Sequence, residues 1–337
     1  MISAQSVLEG DRLALSRLLT AIERGSADGQ EALNALFKHT GQAQLIGVTG
    51  APGTGKSSLV NQLALHYRHP AAGDPLRVAI VAVDPSSPFT GGAVMGDRIR
   101  MRDLAGDEGV FIRSMASRGS LGGLAPTTAS MVQAMDAAGY DIIFIETVGA
   151  GQAEVEIAKL ADTTLVVEAP GLGDDVQAIK AGILEIADIL VLNKADRPGV
   201  DSAERALKGM LQLGHPVEHV FMHHGKKAQV ATHDTVGDLW LPPIQRTVST
   251  EGQGIAELAE AIARHRAYLR ESGEWERRDR ARLETELIAL LGVELMARWQ
   301  AATPDEVYNE VLTQLLDRQI SPSQAVNALT RQGEYSA

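Results

Sequence analysis

The sequence contains no cysteine. That excludes disulfides, thiolate nucleophiles and any zinc or nickel site built on sulfur. Aromatic residues are scarce, 4% of 337, so the core has to be assembled from Leu, Val, Ile and Ala. No stretch approaches the 18 or so consecutive apolar residues that mark a membrane span. The first residues, MISAQSVLEGDRLALSRLL, carry acids before any apolar run can form, which does not fit a secretory signal. Positive charge is also short: 31 Lys and Arg face 43 Asp and Glu, a net charge of -12 with no long basic run. This argues against a chain that coats nucleic acid or anchors on anionic lipid. A cytoplasmic protein is expected, with neither nucleic acid nor membrane as a partner. At 45% hydrophobic and 22% charged it has the balance of a globular chain, long enough for about two domains.

Residues 1–40 read as helix, because Val7, Leu8, Leu13, Leu15, Leu18, Leu19 and Ile22 recur near 3.6 spacing until Gly25. A second helical stretch runs from Gln30 to His39. From Gln44 short apolar runs take over: LIGVTG (45–50), VAIVAV (78–83), DIIFIE (141–146), TTLVVEA (163–169), DILVLN (188–193) and PIQRTVS (243–249). Amphipathic segments at 56–68, 126–138, 174–187, 201–213 and 254–269 separate them. Unbroken apolar strands alternating with helices predict an α/β fold, a doubly wound, mostly parallel sheet covered on both faces. Ligands are then expected at the carboxyl ends of the strands.

After about residue 265 the strands cease. Residues 274–300 read as one long, charge-laced helix. Thr303-Pro304-Asp305-Glu306 and Ser321-Pro322-Ser323-Gln324 read as capping boxes with proline at the first helical position, each opening a further helix. Such a tail cannot bury its apolar stripe alone. It either docks on the α/β domain or forms a two-fold interface in a homodimer. The polar stretch 214–238 holds His215, His219, His223, His224 and His233. Gly, Pro and Lys interrupt it and no carboxylate pattern completes a ligand set, so it reads as a solvated loop.

The chemistry begins at Gly50-Ala51-Pro52-Gly53-Thr54-Gly55-Lys56-Ser57, with Ser58 following. It matches G-x-x-x-x-G-K-[ST], follows an apolar run and opens a helix, the context a phosphate-binding loop requires. Its backbone N–H groups close around phosphates, Lys56 brings positive charge to the β- and γ-phosphates, and the Ser57 hydroxyl can ligate Mg²⁺. Asn193-Lys194-Ala195-Asp196 ends the run DILVL. A carboxylate at Asp196 can accept hydrogen bonds from the ring N–H and exocyclic amine of guanine; adenine lacks that amine, so GTP is favoured over ATP. Asn193 and the Lys194 stem complete the base pocket, and Ser249-Thr250 can brace the base from the next strand end. Asp84 and Glu146 end neighbouring strands, where acids beside such a loop can hold Mg²⁺. Gly149 closes Glu146-Thr-Val-Gly149. The next residue, where many GTPases carry a water-positioning Gln, is Ala150, and Gln152 is displaced by two. Slow unaided hydrolysis is therefore expected. Residues 90–123, glycine-rich and charged, read as mobile switch material. Arg98, Arg100, Arg113 and Arg118 are the arginines available in cis for developing charge.

These stretches resemble the MeaB/ArgK-type GTPases, the methylmalonic aciduria type A protein family. The resemblance rests on GVTGAPGTGKSSL, VAVDPSSPFTGGAVMGDRIRM, SRGSLGGLA, DIIFIETVGAGQAE, EAPGLGDDVQAIKAGILEIAD and NKAD, in order across the α/β region. It implies a nucleotide-gated chaperone that binds an adenosylcobalamin-dependent acyl-CoA mutase, admits intact cofactor and protects the mutase. It also implies a homodimer through the C-terminal arm. On this likeness Lys56 and Ser57 take the phosphate and Mg²⁺ roles, Asp84, Asp97 and Glu146 form the metal-linked switch set, and Asn193 to Asp196 bind guanine of GTP or GDP. Asp174, Gln177 and Lys180 match a segment that senses the mutase. The expected organisation is an N-terminal helical extension over 1–42, a P-loop GTPase domain over 43–264 and a C-terminal helical dimerisation arm over 265–337. A nickel-delivery GTPase is the alternative that the lack of cysteine weakens. An ArgK-type kinase of amino-acid transport is the alternative that Asp196 weakens.

Overall fold

The computed structural model describes residues 2–85, 101–104, 106–117, 124–147, 157–171, 186–214, 222–223, 226–227 and 240–331. Strands with no polar face must be covered on both sides, and the apolar runs fold accordingly. They form β1 (Gln44–Thr49), β2 (Val78–Pro85), β3 (Val110–Ser117), β4 (Ile142–Thr147), β5 (Thr163–Glu168) and β6 (Ile189–Asn193). β7 (Met222–His223) and β8 (Lys226–Lys227) make a separate antiparallel pair, and β9 (Ile244–Thr247) completes the main sheet. The sheet has seven strands in the order β3-β2-β4-β1-β5-β6-β9, every pairing parallel.

The helices are α1 (Ala4–Leu8), α2 (Arg12–Glu23), α3 (Ala27–Leu36), α4 (Lys56–Arg68), α5 (Leu124–Ala137), α6 (Val200–Gly214), α7 (Ile255–Glu271), α8 (Glu274–Ala302), α9 (Asp305–Leu316) and α10 (Pro322–Arg331). Side chains alternate across the sheet. On β2, Val78 and Ile80 pack with α4 and α7, while Ala79, Val81 and Val83 pack with α2, α3 and α5. α6 covers Val166, Leu190 and Leu192. Each short N-terminal helix opens on a side-chain cap, from Ser3, Asp11 and Ser26. Asp136 of α5 then ties this unit to β1 by accepting the backbone N–H groups of Gly41 and Ala43. No helix among the described residues is long and apolar enough to cross a membrane.

The structure departs from the sequence-based expectations at three points. Part of the stretch 90–123 is not switch material: Val110–Ser117 is β3, paired with β2 along its whole length. Arg113, on that strand, donates to Glu23 Oε2 at 2.7 Å and Thr20 Oγ1 at 3.3 Å of α2, so it binds the N-terminal helices and is no cis arginine. Arg98, Arg100 and Arg118 lie outside the described residues. The second capping box forms as read, with Ser321 N donating to Gln324 Oε1 at 2.9 Å and Gln324 N to Ser321 Oγ at 3.3 Å. The first does not. Pro304, rather than Thr303, sits at the N-cap of α9, and no side chain caps that end.

α8 is 29 residues long, about 43 Å at 1.5 Å per residue, and none of its residues is buried. Its root is held by charge. Arg278 forks onto Asp188 at 2.8 and 2.9 Å, and its Nη1 also donates to the carbonyl of Asp162 at 2.7 Å. Arg282 reaches Asp162 Oδ1 at 3.1 Å and the carbonyl of Leu160 at 3.0 Å. Behind them His265 of α7 is fully buried, with Nδ1 2.9 Å from Thr163 Oγ1 and Nε2 3.3 Å from Asp188 Oδ1. Burial works to raise the Asp188 pKa, but hydrogen bonds and charge from His265 and Arg278 overcome it and hold the carboxyl at about 2.

A carboxyl held below its ordinary value stabilises the fold only while ionised. The contribution of Asp188 is therefore complete above about pH 4, the ordinary carboxyl range, and fades as pH falls toward 2. Urea midpoints measured from pH 7 to 2.5 should show wild type more stable than Asp188→Asn at neutral pH. The gap should close at the acid end.

Candidate functional site

The phosphate-binding loop joins β1 to α4, at the carboxyl edge of the sheet. Two glycines make the loop possible. Gly50 has φ +136° and Gly55 φ +96°, backbone regions that favour glycine. A Cβ at Gly50 would collide with the Val167 carbonyl of β5, and one at Gly55 with Asn193 Nδ2 at the tip of β6. Because Gly55 is the N-cap of α4 and offers no side chain, no cap bond consumes the first-turn N–H groups. They are left for an anion, which the helix dipole also favours.

Lys56 is buried, 6% exposed, and its Nζ donates to the carbonyls of Gly50 at 2.7 Å and Ala51 at 3.1 Å. Beside it Ser57 Oγ donates to Glu146 Oε1 at 2.6 Å. Glu146 lies near the top of β4, level with Ala82 of β2, so Asp84 stands two residues further up the neighbouring strand. Pro52, Gly53, Gly55, Lys56, Ser57, Ser58 and Glu146 line one open cleft.

The loop after β6 is fastened to the same cleft. Asn193, 2% exposed, donates from Nδ2 to the Thr54 carbonyl at 2.8 Å. Its Oδ1 accepts from Thr247 Oγ1 at 3.1 Å, Ser249 N at 3.2 Å and Ser249 Oγ at 2.8 Å. Lys194 adopts φ 56° and lays its stem along the phosphate-binding loop, Nζ donating to the Gly53 carbonyl. Asp196 is left exposed beyond them.

Of the residues read from the sequence, Gly50 to Ser58, Glu146, Asn193 and Lys194 thus come together, with Asp196 at the open end. Ser249 sits behind Asn193, where it orients that amide, while Thr250 is exposed in the turn. Asp97, Gly149, Ala150, Gln152, Asp174, Gln177 and Lys180 lie outside the described residues, as does the histidine-rich stretch apart from β7 and β8. Thr247 was not legible in advance. Its hydroxyl reaches Asn193 only because β9 pairs with β6 with Thr247 and Asn193 level.

Asn193 therefore acts as a cross-brace between three loops. Asn193→Ala strips partners from a buried carbonyl and two hydroxyls, at a cost of about 2–3 kcal/mol. Thr247→Val, which removes one hydrogen bond at nearly constant shape, should cost about 1 kcal/mol. Urea unfolding combined with GDP titration checks both, with the larger loss in stability and in affinity expected for Asn193→Ala.

A model of the family described as methylmalonyl-CoA mutase-associated GTPase MeaB matches residues 15–304. A putative GTPase of Pyrococcus abyssi is 41% identical over 96% of this chain and 94% of its own length. GTPase ArgK of Escherichia coli is 34% identical over 80% of this chain and 77% of its own. The mitochondrial methylmalonic aciduria type A homolog of Caenorhabditis elegans is 30% identical over 81% and 67%. Among solved structures, a crystal structure described as LAO/AO transport system kinase superposes with TM-score 0.68 at 26% identity, over 98% of this chain and 96% of its own. With a P-loop at the carboxyl edge of a parallel sheet and the loop after β6 braced against it, the chain belongs to the MeaB family of P-loop GTPases.

Proposed function

We propose that this GTPase is a chaperone that gates adenosylcobalamin loading into a cobalamin-dependent acyl-CoA mutase of the methylmalonyl-CoA type and protects that mutase. One observation carries the nucleotide half of the reading. Asn193 and Lys194 are tied to Thr54 and Gly53, so one unit presents Asp196 to the base and Lys56 and Ser57 to the phosphates. The mutase half is supported by the family description and by the worm relative named for methylmalonic aciduria.

GTP is the substrate and GDP the product. The Asp196 carboxylate accepts from the ring N–H and amine of guanine, a pairing adenine cannot complete. Lys56 exchanges the Gly50 and Ala51 carbonyls for phosphate oxygens, and the uncapped N–H groups of α4 surround the same charge. The adjoining donors are oxygen, the Ser57 hydroxyl and the Glu146 carboxylate, with Asp84 two positions further along the neighbouring strand and Asp97 added by the family pattern. That set fits a hard divalent cation, and Mg²⁺ there would supply neutralising charge to the phosphates. Ser249 and Thr250 support the base side through Asn193 and the adjoining turn. Gly149, Asp174, Gln177 and Lys180 belong to the segments that respond to nucleotide and mutase.

The arm over 265–337 carries homodimerisation. Leu287, Ile288, Leu290, Leu291, Leu295 and Met296 of α8 are 47–63% exposed, an apolar stretch that a second copy would cover. Helices 1–42 and the GTPase region 43–264 form the remaining divisions, and a cytoplasmic setting completes the reading. A kinase of amino-acid transport shares the fold but would favour ATP.

Replacing Asp196 by Asn tests the base choice. It should weaken GTP binding by roughly 2–3 kcal/mol, the worth of a charge-assisted bidentate contact, and shift preference toward xanthine nucleotides. Titration with labelled GDP, ATP and xanthosine nucleotides reads this out, and equal wild-type affinity for ATP moves the reading to the kinase.

Ala150 stands where other GTPases orient water, so turnover alone should be slow. Docking a mutase that orders the catalytic segments should accelerate it. Phosphate release with and without the acyl-CoA mutase encoded nearby, plus capture in both nucleotide states, tests this. No change in turnover and no nucleotide-dependent binding would remove the chaperone reading and leave the GTPase.

A further inference from the structure

A buried charge cluster lies at the edge of the sheet opposite the nucleotide, and GTP hydrolysis makes no use of it. Asp162 directly precedes β5 and Asp188 directly precedes β6. Each also fastens the strand beside it: Asp162 Oδ2 accepts Leu45 N of β1 at 2.8 Å, and Asp188 Oδ2 accepts Thr164 N of β5 at 2.8 Å. Arg278 and Arg282 of α8 close on these two carboxylates. Trp240 covers the group, its Nε1 donating to the Asp188 carbonyl at 2.8 Å.

α8 leaves α7 with the Trp275 ring against the Arg266 and Arg270 guanidinium groups, and beyond that first turn its bonds to the α/β body are polar. No residue of α8 joins a core cluster of the described residues. The hydrogen bonds that hold it to the α/β body fall between Arg278 and Glu286, the last being Gln133 Nε2 to Glu286 Oε2 at 2.7 Å. Apolar packing tolerates sliding, whereas a guanidinium forked onto a carboxylate fixes direction. A few degrees at this root become several ångströms at the tip of a helix about 43 Å long.

The same two strands meet the phosphate-binding loop at their other ends. The Val167 carbonyl of β5 lies where a Cβ on Gly50 would fall, and Asn193 of β6 where a Cβ on Gly55 would fall. Asn193 is also bonded to Thr54. From Asp188 to Asn193 is five residues, about 17 Å at 3.3 Å per residue. β5 and β6 are paired in register along this length, Leu165 with Ile189 through Glu168 with Leu192. Their interiors are fully buried.

We propose that β5 and β6 couple nucleotide occupancy to the direction of the arm, with Asp162, Asp188, Arg278 and Arg282 forming a latch that is tighter when the phosphate-binding loop is filled. The two arrangements are arginines engaged on the strand starts and arginines released to solvent. Filling the loop takes Lys56 off the carbonyls of Gly50 and Ala51 and loads Asn193 and Lys194 through the base. The contacts at Val167 and Asn193 leave no slack to absorb that change before it reaches the strands. By linkage, whatever nucleotide does to the latch, the latch does equally to nucleotide affinity. The coupling needs only nucleotide binding, so it stands or falls independently of any mutase.

Hydrogen exchange by mass spectrometry on the full chain, with and without GDP and Mg²⁺, tests it. In wild type, amides of residues 274–290 should exchange roughly fivefold more slowly with GDP, the lower end of ordinary coupling. In the double variant Arg278→Met with Asp188→Asn the slowing should vanish, and GDP affinity should fall by no more than that same factor. Arg278→Lys, which keeps the charge and gives up the fork, should show an intermediate slowing and carries the test if the double variant does not fold. Identical exchange of the wild-type arm root with and without GDP would overturn the proposal. So would full slowing in the double variant or in Arg278→Lys, or a loss of GDP affinity far beyond the coupling factor.

Discussion

How closely one backbone can approach another sets the geometry of the nucleotide end. The phosphate-binding loop lies against the Val167 carbonyl and the Asn193 amide with no room for a methyl group at Gly50 or Gly55. A loop standing one side-chain radius further out would lose the Thr54–Asn193 and Gly53–Lys194 bonds. The loop after β6 and the phosphate-binding loop would then be separate, each with its own ordering cost. The parallel sheet makes the approach possible because it brings the ends of β1, β5 and β6 to one edge.

What could be read from the sequence was what local pattern dictates. Five of the seven strands of the sheet announce themselves as apolar runs, because a strand covered on both faces has no polar side, while β9 at one edge carries Gln245 and Arg246 and is only partly buried. β3 hides because it is an edge strand whose Arg113 and Ser114 are only partly buried, and because Arg113 finds its partner on α2, about 90 residues away. The phosphate-binding loop and Asn193 to Asp196 were legible because their chemistry is contiguous in the chain. Thr247 was not, since its hydrogen bond depends on strand register. The two proline-led helix starts differ for a similar reason. Gln324 can return a bond to Ser321, whereas Thr303 is extended and terminates α8, leaving Pro304 as the cap of α9. The partners of Arg278 and Arg282 lie 90 to 120 residues upstream. Nothing in an arginine-rich helix sets those two apart from their neighbours.

The molecule separates two kinds of cohesion. The α/β body is held by apolar burial, with Leu, Val, Ile and Ala filling both faces of the sheet. α8 is held to that body mainly by ion pairs and hydrogen bonds, while Leu287, Ile288, Leu291 and Leu295 along it are exposed. Buried ion pairs add little net stability against their desolvation cost, yet losing one partner is expensive. Such a joint is therefore weak as glue and strong as a specifier of direction.

The N-terminal helices share a core with a part of the chain made much later. Val7, Leu15, Leu18, Leu19, Leu33 and Leu36 pack in one cluster with Met131, Met135 and Ile143. The ribosome must therefore add roughly 100 residues before the apolar faces of α1, α2 and α3 have a complete surface to rest on, about 5–20 s at ordinary elongation rates. During that interval the nascent chain presents three short amphipathic helices with little to bury them. Their side-chain caps favour helix locally, but at 5, 12 and 10 residues these segments are marginal as helices until their apolar faces are covered, so the N-terminal unit acquires its stability only when α5 and β4 have been made.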